Sequence, residues 1–183
     1  WGLHIALPVG TSLFALTFLV TDLVSEVYGA KRAYQLVVCG FLARILAGGF
    51  IFVAVSITPS IFFENQDAYE TVLSGSWRIL LAGILTYPIS QSIDIFLFHF
   101  LKKRQTGKNQ LWVRNTLSTF TSQTLDSIVF VLLAFAGTMP NEALMLVVIG
   151  QVLVKWIIAL LDTPFVYIGR NLILGKKLLD FRG

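Results

Sequence analysis

The chain has 183 residues, of which 56% are hydrophobic and 13% charged, with a formal net charge of +4 and a single cysteine. A soluble domain carries about a quarter charged residues, so this composition excludes a soluble globular enzyme or binding module and specifies an all-α membrane protein. The positive charge does not mark a nucleic-acid partner, because the Lys and Arg residues sit in short loops between apolar runs, where membrane topology places them.

A membrane span needs roughly 20 mostly apolar residues. The first candidate covers residues 5–28, with Pro8 and Gly10 near its start. Residues 29–32, Gly-Ala-Lys-Arg, then read as a tight basic turn. The second span covers residues 33–57, interrupted only by Arg44 and ended by Thr58-Pro59, since proline and the residue before it resist continuing a helix. Cys39 lies in this run and reads as a small buried hydrophobe.

The loop over residues 60–76 carries Glu64, Asp67 and Glu70 and no base. Its Ile61-Phe62-Phe63 stretch and Trp77 suit the membrane interface. The third span covers residues 77–101. Pro88 inside it predicts a kink and a carbonyl freed one turn earlier. Lys102, Lys103, Arg104, Lys108 and Arg114 crowd the following loop. The fourth span covers residues 115–137, followed by a short turn of Pro140, Asn141 and Glu142. The fifth covers residues 143–168 and holds Lys155, Asp162 and Pro164, before a basic tail with Arg170, Lys176, Lys177 and Arg182. His4 and His99 lie near span ends and read as interfacial groups.

The loops after the first, third and fifth spans hold nearly all the bases, and those after the second and fourth hold acids. Lys and Arg stay inside, so the basic loops belong in the cytoplasm. That places Trp1 outside and predicts one more helix before it in the native protein. The expected fold is a single compact transmembrane bundle over residues 1–183, with five spans visible, six in the native protein and a cytoplasmic C-terminus. Monomer and homodimer are both open.

Two matching pentapeptides stand inside apolar runs: Ser90-Gln91-Ser92-Ile93-Asp94 and Ser122-Gln123-Thr124-Leu125-Asp126. Gln and Asp three apart, and Ser and Asp four apart, share a helical face. The other ionisable residues at membrane depth are Asp22, Glu26, Arg44, Lys155 and Asp162, with Gln151 one turn before Lys155 and Arg78 near the outer interface. Polar contacts between membrane helices contribute about 0.6 kcal/mol each. An unpaired charge at the bilayer centre costs about 2.5 to 3.5 kcal/mol. Neutralising pairs, such as Lys155 with Asp126 or Arg44 with an acid, are the plain structural alternative, but weak glue does not explain so many charges. A hydrated ligand cavity does. Aspartate accepts side-by-side hydrogen bonds and glutamine both donates and accepts, which suits a flat heterocycle with adjacent N–H donors and a carbonyl, such as a guanine-like edge. An amino acid or a vitamin fits as well. Tyr87, Trp156 and Phe165 are candidates for stacking. No glycine-rich phosphate loop and no His/Cys cluster at ligand spacing points to a cofactor or metal.

In these residues the chain resembles the queuosine precursor transporter family of vitamin-uptake-like membrane proteins. The resembling segments are Thr21-Asp22-Leu23-Val24-Ser25-Glu26-Val27-Tyr28-Gly29, the two Ser-Gln-x-x-Asp copies, and Lys155 followed by Asp162-Thr163-Pro164. The resemblance implies a six-helix bundle similar to the substrate-binding components of energy-coupling-factor vitamin importers. It implies a small-molecule deazapurine substrate, 7-cyano-7-deazaguanine or 7-aminomethyl-7-deazaguanine, imported across the inner membrane of a prokaryote for a modified tRNA base. Carried onto this chain, Gln91, Asp94, Gln123 and Asp126 become substrate-binding residues, joined by Lys155 and Asp162, with Asp22, Glu26 and Arg44 in gating or coupling. No Walker motif is present, so a substrate-binding component served by a separate ATPase is the alternative. Intramembrane aspartyl proteases also use paired aspartates, but Asp94 and Asp126 lack the Tyr-Asp and Gly-x-Gly-Asp contexts, so no enzymatic activity is expected.

Overall fold

A computed structural model of the chain describes residues 11–57, 66, 68, 71, 77–104 and 110–175. Within them five helices follow in order: α1 (Thr11–Tyr28), α2 (Ala30–Ser56), α3 (Trp77–Arg104), α4 (Leu111–Phe135) and α5 (Asn141–Ile173). The readings for residues 5–10, His4, the Thr58-Pro59 stop, the acidic residues Glu64, Asp67 and Glu70, the Ile61-Phe62-Phe63 stretch, Lys108 and the basic tail beyond residue 175 fall outside the described residues. Helices α2 to α5 are each long and apolar enough to cross a membrane. In lipid every backbone N–H and C=O must be satisfied within the segment, which leaves the helix as the only option for such runs. The chain is a multi-pass, all-helical membrane protein.

Several expected boundaries move: α3 runs on through Lys102, Lys103 and Arg104, expected in a loop, and α5 runs through Arg170 to Ile173. The turn predicted over residues 29–32 shrinks to Gly29, whose φ of 84° lies in the left-handed region. Ala, Lys and Arg are good helix formers, so residues 30–32 open α2 instead, and the Ala33 N–H donates to the Gly29 carbonyl at 3.2 Å. Helix α4 begins at Leu111, four residues before the predicted start. The Trp112 N–H at its free end donates to the Tyr167 hydroxyl at 3.1 Å, satisfying one of the orphan donors every helix start exposes. The turn after α4 contains Gly137 at φ 78°, and Asn141 and Glu142 belong to the first turn of α5, where a carboxylate complements the helix dipole.

Helices α3 and α5 run through Pro88 and Pro164. Each proline lacks the N–H that would reach the carbonyl four residues back, leaving those of Ile84 and Leu160 without that bond. At 33 residues, α5 is about 50 Å long, well beyond the roughly 30 Å hydrocarbon thickness.

Neighbours in sequence pack side by side, and α1 closes the ring by packing on α5 as well as α2, while also touching α3. Helix α2 is peripheral, burying only Ala33, Val37 and Gly48. Cys39 is therefore exposed on the outer face of α2, contrary to its reading as a buried hydrophobe. Burial is inverted relative to a soluble protein. Phe50, Leu46, Leu146 and Leu161 face outward, and the interior collects Asp, Gln, Ser, Thr and Asn.

Helices α3 and α4 are antiparallel and tied at one end by Arg78. Its Nε donates to the Leu133 carbonyl at 2.8 Å and an Nη to the Ala136 carbonyl at 2.6 Å, capping the carbonyl end of α4. Arg78→Ala is expected to cost about 1 to 2 kcal/mol, at the lower end for charged hydrogen bonds because the site is exposed. Thermal unfolding in detergent measures it. Trp77, beside it, packs edge-to-face on Phe52 at 5.7 Å.

Candidate functional site

The two pentapeptides meet near the middle of α3 and α4. Ser90 Oγ donates to Asp126 Oδ1 at 2.8 Å, and Ser122 Oγ donates to Asp94 Oδ1 at 3.0 Å. The exchange follows from the repeat itself. Serine and aspartate are four apart in each copy, and the helices are antiparallel, so four residues forward on one is four back on the other. Each serine stands opposite the other copy's aspartate. All four side chains are buried.

The carboxylates then diverge. Asp126 Oδ2 takes the Lys155 ammonium from α5 at 2.6 Å, with both side chains only 3% exposed. Asp94 has no base. Its carboxyl instead lies within hydrogen-bonding reach of Asp22 on α1, and Asp22 Oδ2 accepts from Thr119 Oγ1 at 3.1 Å. The local two-fold relation of α3 and α4 is thus broken by their neighbours. Lys155 completes one aspartate, and a second aspartate faces the other.

Between α1, α4 and α5 runs a narrow cleft with an empty volume of about 230 Å³. Its walls include Phe18, Asp22, Asn115, Gln123, Lys155 and Asp162. No void large enough for a water molecule remains at its centre. Around it, buried acceptors lack donors: Asp22 Oδ1, Asp94 Oδ2, Gln91 Oε1, Gln123 Oε1 and Asn115 Oδ1. The amide nitrogen of Gln151 is also unpartnered. Native interiors satisfy nearly all such atoms, and leaving one without a partner costs about 1 to 3 kcal/mol. Three of these acceptors, on Asp22, Gln123 and Asn115, belong to residues that line the cleft.

Of the nine residues singled out from sequence, Gln91, Asp94, Gln123, Asp126, Lys155, Asp162 and Asp22 are buried in this central cluster. Glu26 is not among the residues that line the cleft. Its side chain is 8% exposed and bridges Arg114 at 2.6 Å and Lys102 at 3.0 Å, tying the ends of α1 and α3 to the start of α4. Arg114 was expected in a loop, yet it is a buried helical residue. Arg44, on peripheral α2, lies over the Tyr87 ring at 4.2 Å and does not line the cleft. The stacking candidates are engaged or turned away. Trp156 stacks on Phe120 at 4.7 Å and bonds Thr124 through its indole N–H at 3.1 Å. Phe165 is exposed. Phe18 is the buried aromatic on the cleft.

Phe18, Asn115, Thr119 and Arg114 were not identified as site residues from sequence. A signal was present on α4, where Asn115, Ser118, Ser122 and Asp126 recur at helical spacing and form one polar stripe inside an apolar run. No such signal singled out Phe18 among 15 phenylalanines.

The two bridges to Glu26 make a contrast that is measurable. Arg114 is 3% exposed and Lys102 40%. Removing one partner of a buried pair costs about 3 to 5 kcal/mol, and an exposed pair contributes at most about 1 kcal/mol. Arg114→Met is therefore expected to lower the unfolding midpoint in detergent strongly, and Lys102→Met to change it little.

A family model described as a putative vitamin uptake transporter matches residues 8–169. A protein of Bacillus subtilis (strain 168) named "Probable queuosine precursor transporter" is 28% identical over 166 residues, covering 90% of this chain and 72% of that protein. A protein of Haemophilus influenzae (strain ATCC 51907 / DSM 11121 / KW20 / Rd) with the same name is 27% identical over 126 residues, 69% of this chain and 51% of that protein. No solved structure matches the chain significantly. With a match spanning most of its length, and a bundle whose interior is polar and whose exterior is apolar, the chain belongs to the putative vitamin uptake transporter family.

Proposed function

We propose that the chain carries a queuosine precursor, a 7-deazaguanine, across the cytoplasmic membrane of a prokaryote through the central cleft. The observation that carries this reading is the set of five buried acceptor oxygens without donors. The ring N–H and exocyclic amino group of an aminopyrimidinone are adjacent donors, and they complement Asp94 Oδ2 and the glutamine oxygens. Lys155 or a glutamine amide donates to the ring carbonyl, and Phe18 offers an apolar face to the flat ring. The names of the two relatives point to the same substrate class. The Glu26–Arg114–Lys102 bridge closes the end of the bundle where the bases collect, which fits a cytoplasmic gate that opens for release. The C-terminus is then cytoplasmic, and a reporter fused after Gly183 reads it.

Purified protein in liposomes, without any ATPase, is expected to exchange internal unlabelled for external labelled 7-deazaguanine. Uptake only when an ATPase-containing partner is added would turn the reading to a substrate-binding component. No binding of any deazaguanine would overturn it.

A further inference from the structure

The central cluster is short of positive charge. Asp22, Asp94, Asp126 and Asp162 are all buried among α1, α3, α4 and α5. Lys155 pairs with Asp126, and Arg114 and Lys102 pair with Glu26. The imbalance is sharpest at Asp22 and Asp94, whose carboxyl groups lie within hydrogen-bonding reach of each other. Each has one oxygen held by a hydroxyl, from Thr119 and Ser122, and one without any donor. Two carboxylates in contact at membrane depth do not stay ionised together without a positive charge beside them.

Neutral oxygens without donors lie on neighbouring residues. Gln91 shares the Asp94 face three residues away, and its amide nitrogen approaches Thr17 Oγ1 at 3.5 Å, leaving Oε1 without a donor. Asn115 and Gln123 line the cleft beside Asp22 with their side-chain oxygens unpartnered. Two carboxylates with several amide oxygens are hard ligands, the set that suits an alkali cation and equally accepts the N–H bonds of an ammonium group. No trio of His, Cys, Asp or Glu converges at metal spacing among the described residues, so the set does not favour a transition metal.

We propose that Asp22 and Asp94 form a cation subsite next to the cleft, filled by an ammonium group that the substrate carries or by an alkali ion that binds with it. The first source rests on the transport reading above, and the second does not. The subsite is separate in role from Asp126, which Lys155 already neutralises.

The test is thermal unfolding of the purified protein at fixed pH and ionic strength in sodium, methylammonium or N-methyl-D-glucamine chloride. Sodium or methylammonium is expected to raise the wild-type midpoint by about 3 °C over the bulky cation, by mass action on the folded state. Asp22→Asn and Asp94→Asn, each nearly isosteric, are expected to abolish that shift. Equal midpoints in all three salts overturn the subsite on wild-type protein alone, whatever the variants do. So does a shift that survives in either variant, or one that follows pH but not cation identity, which assigns a shared proton to the pair instead. Calorimetric titration then separates the sources. Should the ammonium come from the substrate, Asp22→Asn weakens 7-aminomethyl-7-deazaguanine about tenfold and the uncharged 7-cyano ligand far less. Should it be an alkali ion, both ligands require sodium. Cation-specific stabilisation without binding of either deazaguanine upholds the subsite and sinks the transport reading. Binding of both ligands that ignores ligand charge and salt does the reverse.

Discussion

Asp94→Asn is expected to reduce uptake at least about a hundredfold while leaving the bundle folded. Asp94 is fully buried, and Asn keeps its shape and the oxygen that accepts from Ser122 at 3.0 Å. What is lost is the carboxyl oxygen Oδ2, an acceptor with no donor among the described residues. A site built around hydrogen bonding discriminates steeply when one polar partner is removed, and a hundredfold corresponds to about 2.7 kcal/mol of lost binding. Stability should barely fall, since the contact between Asp22 and Asp94 is relieved. Initial uptake rates in liposomes, alongside the unfolding midpoint of the same preparation, separate the two effects. Near wild-type uptake would remove Asp94 from the binding site.

Lys155→Met should behave in the opposite way and cost mainly stability. It removes the base 2.6 Å from Asp126 and leaves that carboxylate buried with only the Ser90 hydroxyl. Breaking one side of a buried pair typically costs about 3 to 5 kcal/mol, whereas replacing both partners with uncharged groups of similar size is often nearly neutral. Adding Asp126→Asn to Lys155→Met should therefore recover most of the lost stability. The double-mutant cycle measures the coupling directly. A single variant as stable as wild type would show that the pair does not hold α4 to α5. Uptake by the double variant reports separately on whether Lys155 also serves the ligand.

Much of this architecture was legible in the sequence, for reasons tied to particular residues. Apolar runs longer than a bilayer left helices as the only option, so α3 started where Trp77 predicted and α1 ended at Tyr28. The spacing in the two Ser-Gln-x-x-Asp copies forced each set onto one face, and once Ser90 met Asp126 the antiparallel order set Ser122 opposite Asp94. The pairing of Lys155 with Asp126 was among the neutralising arrangements the residues allowed. The lateral order of the helices was not legible. Lipid is as apolar as a leucine-rich interior, so hydropathy does not separate a lipid-facing helix from a central one. That is why Cys39 on α2 was taken as buried, and why Asp22 of α1 was not foreseen beside Asp94 of α3. Arg114 was misplaced because a base near a span end satisfies the positive-inside rule whether it faces water or, as here, Glu26 of another helix. Phe18 carries no chemical mark that distinguishes a cleft wall from a lipid-facing ring.

The central claim is that the polar cluster among α1, α3, α4 and α5 is a ligand site rather than structural glue. Calorimetric titration of 7-cyano-7-deazaguanine in sodium buffer into purified wild type and folded Asp94→Asn addresses it most directly. The account predicts saturable binding to one site per chain in the wild type and at least about hundredfold weaker binding in the variant. No binding to the wild type, or equal affinity in the two proteins, would contradict it.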